Sequence, residues 1–252
     1  MEKFLKICYV WTDVVIATHR MIHHTKGEML SSVLSRWLLV CGFILASETI
    51  SQANQTKANN NNNLELGSSW VSGTAPSTND NAIWDATVAT PANCANTLGT
   101  AVTWNSIVIN NPSAPVTING NTTLTLQNGI NMNSATADLT VNCGTINLGA
   151  NQTWTVPSGR NLITGSASSS GAVNSPNNGN FIVTKSGSGI WTTSGNGDNG
   201  STGIIINGGT VNLNKSSSSG THAVGGPGLT INNGATARIT GTGGDQIGRA
   251  HV

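Results

Sequence analysis

Charge is what this chain has least of. Lys, Arg, Asp and Glu together make up 8% of its 252 residues, against roughly a quarter in an ordinary globular domain. Past residue 53 the acids are Glu65, Asp80, Asp85, Asp138, Asp198 and Asp245, and the bases are Lys57, Arg160, Lys185, Lys215, Arg238 and Arg249, so the formal charges cancel. A nucleic-acid-binding surface needs a basic stripe to displace counterions from phosphate, and none can be assembled from six scattered cations balanced by six anions. Nucleic acid is therefore not an expected partner.

Long apolar runs are missing too. The longest is the ten-residue stretch 37–46, half of the ~20 residues that a spanning helix requires. It follows Arg36 and precedes Ser51-Gln52-Ala53, where small residues occupy the positions a signal peptidase inspects. Residues 1–53 thus read as an export signal region with cleavage after Ala53. The segment before Met29 has no clear amphipathic pattern. It is either an over-long start, with Met29 the true first residue, or an extension of the signal. The bulk of Val40 and the continuation of the run past Cys41 argue against a lipoprotein signal. No membrane span is expected after Ala53.

Cysteine is scarce. Cys8 and Cys41 precede the cleavage point, which leaves Cys94 and Cys143. An oxidising compartment permits a bridge between them, and closing a loop of about 50 residues contributes on the order of 4 kcal/mol in the chain-entropy treatment. Two separate buried thiols are the alternative, and the spacing does not choose between them. No C-x-x-C and no nearby histidine suggests a metal.

What the chain does have is short alternation. Residues 116–119 (VTIN), 124–127 (LTLQ), 139–142 (LTVN), 211–214 (VNLN) and 229–232 (LTIN) place apolar side chains at every second position, the period of a strand with one buried face. Gly or Asn follows each within a few residues, as tight corners require. No segment after residue 53 shows helical spacing with caps. Residues 54–66 read as a polar linker, 67–103 as an opening or capping segment, and 104–246 as the repeats.

The repeat itself is visible in 141–148 (VNCGTINL) and 206–213 (INGGTVNL), with looser copies at 118–124, 183–190 and 231–239. Anchors at 118, 141, 183, 206 and 231 imply one coil of roughly 21–25 residues. Each short strand cannot bury its apolar face alone. Winding one coil per period stacks equivalent positions and makes a thin continuous core. The expected fold is all-β, a right-handed parallel β-helix.

Residues 185–195 (KSGSGIWTTSG) and 203–213 (GIIINGGTVNL) closely resemble the autotransporter-associated β-strand repeat, and 148–156, 67–76 and 80–84 resemble segments common in the same proteins. The resemblance is strong over about 30 residues and weaker over about 180. It implies a passenger-type β-helix, exported to the extracellular space or outer surface of a Gram-negative-type bacterium, and often without known activity. The aromatic usual in the turn between the two halves is absent, with Asp198-Asn199-Gly200 in its place. Residues 247–252 (IGRAHV) resemble a translated sequencing adapter, so the natural chain is expected to continue from residue 246.

Polysaccharide lyases and hydrolases on β-helices need grouped carboxylates. Here Asp80 and Asp85 are the closest pair, and Asp138, Asp198 and Asp245 each sit among corner residues. His222 has no G-x-S-x-G elbow to serve. No catalytic, cofactor-binding or metal-binding residue is therefore assigned, and no cofactor is implied. Among the tryptophans, Trp154 falls on the apolar beat of its strand. Trp191 follows Ile190 directly, so the two face opposite ways, and Trp191 is taken as the candidate exposed aromatic. The function expected is a structural or adhesive surface scaffold, its partner a surface polysaccharide or a host or neighbouring cell surface. The alternative is a carbohydrate-binding or polysaccharide-degrading β-helix.

Overall fold

The structure, a computed structural model, describes residues 53–166, 169–216 and 220–242. The signal region before residue 53 and the adapter-like residues 247–252 lie outside them. Among the described residues fifteen strands follow one another: β1 (Asn54–Thr56), β2 (Asn81–Trp84), β3 (Ala95–Thr97), β4 (Val102–Ile109), β5 (Val116–Asn131), β6 (Leu139–Leu148), β7 (Gln152–Thr155) and β8 (Asn161–Thr164). After these come β9 (Ala172–Asn174), β10 (Ile182–Ser186), β11 (Ile190–Gly195), β12 (Gly203–Ile206), β13 (Thr210–Lys215), β14 (Leu229–Ile231) and β15 (Thr236–Ile239). Only short 3-10 turns interrupt them, and among the described residues no helix is long and apolar enough to cross a membrane.

Every strand pairing is parallel, and the chain winds into a β-solenoid of about 8 turns. Three stacks form its walls. The first runs β1, β2, the end of β4, the end of β5, then β7, β10, β12 and β14. The second runs β3, the start of β5, the start of β6, then β8, β11, β13 and β15. A shorter third joins the start of β4, the middle of β5, the end of β6 and β9.

Register makes the core. On the first wall Gln55, Ala82, Ile107, Ile130, Trp154, Lys185, Ile206 and Ile231 are successive neighbours. On the second, Val116, Leu139, Leu162, Trp191, Val211 and Ala237 form the matching column. All but the last residue of each column are buried; there Ile231 is 48% exposed and Ala237 is half-buried. Outward neighbours are mostly Thr, Asn and Ser, with half-buried Ile83, Val108, Ile163 and Ile205 among them, residue types that suit a pleated face.

Two expectations about organisation change. Residues 54–66 are not an unstructured linker: β1 pairs with β2, and both Lys57 and Leu64 are fully buried. The asparagine run works as a set of corner bonds, with the carbonyls of Asn62 and Asn63 accepting from Ser69 Oγ at 2.9 and 2.7 Å. Coil length also varies more than the repeat suggests, from 20 residues between Thr192 and Asn212 to 31 between Thr155 and Ser186. The extra residues are taken up at the corners, while β9 stays in the third wall beside the end of β6 with Val173 in the core.

Candidate functional site

The carboxylates do not gather. Asp80 accepts from the backbone N–H and the hydroxyl of Ser77 at 2.8 and 2.6 Å, closing its own corner. Asp85 accepts from the N–H of Thr87 at 2.8 Å. Asp138 accepts from the N–H and side chain of Asn161 on the next coil, with Arg160 3.6 Å away. Asp245 lies outside the described residues. Among those described, no three His, Cys, Asp or Glu side chains group as metal ligands.

One corner does bring chemistry-bearing residues together. Asp198 Oδ1 accepts from the backbone N–H of His222 at 2.8 Å and lies 2.9 Å from its Nδ1. Twenty-four residues separate the two in sequence, about one coil, and only the register reveals the contact. Beside them Asn199 is 1% exposed. Its Oδ1 accepts from Val173 N–H at 2.7 Å, and its Nδ2 donates to Thr193 Oγ1 at 3.1 Å and to Ala223 O at 2.9 Å. One amide thus ties three consecutive coils, and it stands in the turn where the resembled repeat carries an aromatic.

Sequence reasoning missed the lysines entirely. Lys57, Lys185 and Lys215 are fully buried, and each ammonium is held by oxygens at a corner. Lys57 Nζ donates to Ala58 O, Asn60 O and Asn60 Oδ1 at 2.8, 2.7 and 3.0 Å. Lys185 Nζ donates to Ser186 O, Gly187 O and Gly208 O at 3.0, 2.7 and 3.0 Å, the last on the following coil. Lys215 Nζ reaches back to Gly171 O and Ser194 O at 2.8 and 2.7 Å. Burial pulls the ammonium of Lys57 down to about 8, partly offset by the Cys94 thiol, and that of Lys185 to about 8. Lys215 falls to about 7, with Asp198 opposing the effect of burial. A buried cation is tolerated when its protons are all bonded. These side chains are cross-braces, and their alternation with apolar neighbours was the only available signal.

Two site expectations are overturned by the register. Trp191 is fully buried, stacked between Leu162 and Val211, and its Nε1 donates to Thr164 Oγ1 at 3.1 Å. It is Ile190 that faces out, 36% exposed. Cys94 and Cys143 are free buried thiols. Cys94 precedes Ala95, which pairs through Thr117 to Thr140, so Cys143 lies two coils up and four residues further along. At ~4.8 Å per coil and ~3.3 Å per residue that is roughly 16 Å, far beyond the 7 Å or so that a disulfide spans. Burial pushes the Cys143 thiol up to about 12.

At the surface of the first wall lies an amide-lined groove of about 280 Å³, bordered by Asn81, Asn105, Asn128, Asn131, Thr153 and Thr155 among others. Comparison with known proteins found no matching family model, no matching curated protein and no matching solved structure.

Proposed function

We propose that this chain is part of an exported surface scaffold of the passenger type, a member of the autotransporter-associated repeat group, that holds an adhesive or structural surface away from the cell. The observation that supports this reading most is the division of the coil. Inward positions form largely apolar columns braced by buried lysines, while outward positions are uncharged, mostly Thr, Asn and Ser with some Ile and Val. Such a body gains stability coil by coil through nearest-neighbour stacking and depends on no single loop. Among the described residues, the carboxylates of Asp80, Asp85 and Asp138 are engaged in corner bonds.

The test is expression of the full chain with a carboxyl-terminal tag in a Gram-negative host, followed by fractionation and mass determination. Export with a product beginning at Asn54 supports the reading. An unprocessed chain retained in the cytoplasm, or release of reducing ends from polysaccharides by the purified chain, ends it.

A further inference from the structure

The amide-lined groove has a construction that the scaffold role does not require. Its floor is a row of outward positions in register across four coils: Asn81 beside Ser106, Ser106 beside Gly129, and Gly129 beside Thr153. Two residues further along, Val108, Asn131 and Thr155 form a second row. Gly129 makes the notch between them. Its φ is +111°, and a Cβ placed there would lie 2.4 Å from Thr153 O, so this position carries no side chain where its neighbours do.

The groove's polar groups are partly prearranged and partly unspent. The Asn81 amide is held by three bonds: it donates to Asn54 Oδ1 at 2.9 Å and accepts from Asn105 Nδ2 at 2.7 Å and Ser106 Oγ at 2.6 Å. Asn131 Oδ1 accepts from the N–H of Asn133 at 3.0 Å, which turns its NH2 group away with no acceptor among the described residues. Asn128 and Thr153 are exposed, and neither side chain is bonded among the described residues. Lys, Arg, Asp and Glu are all missing from the lining.

We infer that this groove binds a neutral, extended polysaccharide running along the stacking axis. The absence of charge disfavours phosphate, nucleic acid and uronate. Both edges of the strands beneath it are already paired, so no backbone is open for a peptide to join as an added strand. Amides and hydroxyls bond sugar hydroxyls as both donors and acceptors. Coils repeat every ~4.8 Å, close to the advance of one residue in an extended 1,4-linked glycan, so the polar groups of Asn81, Ser106, Asn131 and Thr153 on successive coils stand at about the spacing of successive sugars. No tryptophan lies in the lining, so binding comes from many weak hydrogen bonds and grows with chain length. This deepens the scaffold reading by naming what the surface holds, and it rests on that reading only in requiring an external glycan.

The test is native electrophoresis of the full chain in gels containing hydroxyethyl cellulose, mixed-linkage β-glucan, galactomannan or alginate, with titration of glucose and cellohexaose followed by calorimetry. The expected result is retardation by at least one of the three neutral polymers, unchanged between about 0.05 and 0.5 M salt. Affinity is expected to rise from glucose to the hexamer. Asn128→Ala combined with Asn131→Ala should weaken retention about fivefold, the worth of roughly one hydrogen bond, at an unchanged unfolding midpoint. Thr140→Ala, on the second wall, should leave retention as it was. Absence of retardation in all three neutral gels overturns the inference. So does wild-type retention by the double variant, or a preference for alginate that fades with salt. None of these outcomes bears on export, so the scaffold reading stands or falls separately.

Discussion

Trp154 and Trp191 come from different walls of the solenoid, on β7 and β11, and meet inside it edge to face, their ring centroids 4.8 Å apart and their planes inclined at 63°. Neither strand pairs with the other; the contact exists because each ring is the largest member of its own inward column. Aromatic pairs in this geometry contribute about 0.5–1.5 kcal/mol beyond the area they bury. Truncation of either to alanine should cost about 3–5 kcal/mol, and a double-mutant cycle by urea unfolding should return a coupling of about 1 kcal/mol. The variant Trp191→Phe should remove a blue-shifted, quencher-resistant emission component. Loss of a red-shifted, quenchable component instead would place Trp191 at the surface.

The ammonium of Lys185 stands in an otherwise apolar column between Trp154 and Ile206, and it is the only partner that three corner carbonyls have in common. Lys185→Met keeps the stem and removes the donors. Relief of the buried charge offsets part of the loss, and Ser186 O keeps the N–H of Val156 at 3.0 Å, but the carbonyls of Gly187 and Gly208 lose their donor at about 1–3 kcal/mol each. Net destabilisation of about 2–4 kcal/mol at neutral pH is expected from equilibrium unfolding. A variant as stable as the wild type would show that water replaces the lysine.

Stability should rise with alkalinity before it falls. The lysines have folded values near 8, 8 and 7, below the ordinary 10.5, so between those limits the unfolded chain binds more protons than the folded one. Linkage then makes unfolding harder as pH increases, by up to about 1.4 kcal/mol per pH unit for each lysine. Cys143 acts oppositely: its folded value near 12 lies above its ordinary 9, so stability is lost as pH rises through that interval. Urea midpoints should therefore climb from pH 7 to about 10.5, less steeply above pH 9 where Cys143 opposes the three lysines, and fall beyond. Lys215→Met should reduce the slope of the climb, and Cys143→Ala should extend it.

Cys94 and Cys143 should stay reduced in the folded chain. Peptide mapping after mild oxidation is expected to show no peptide joining them, and thiol labelling should reach both only on unfolding. A crosslinked peptide formed without loss of the native circular dichroism would contradict the register.

Asn199 should be worth more than its size. Asn199→Leu fills the same space but abandons Val173 N–H, Thr193 Oγ1 and Ala223 O on three coils. A loss of about 2–4 kcal/mol is expected, with hydrogen exchange accelerated at Val173.

Short alternation and a recurring interval were enough to read an all-β coil with stacked equivalent positions, because one buried face per strand imposes period two and stacking imposes repetition. Those are local properties of the chain. Trp191 was misplaced because Ile190 and Trp191 are both apolar, so alternation alone permits either to face inward; pairing with Leu162 and Val211 decides it. Residues 54–66 looked like a linker because asparagine carries no hydrophobic signal, although its amide and backbone oxygens brace corners. The cradles of Lys185 and Lys215, the Asp198–His222 contact, the Asn199 clamp and the separation of Cys94 from Cys143 all depend on which residue of a neighbouring coil lies alongside. That alignment is set by coil lengths varying from 20 to 31 residues, and a shift of one position would turn every inward side chain outward. Only the wound chain resolves it.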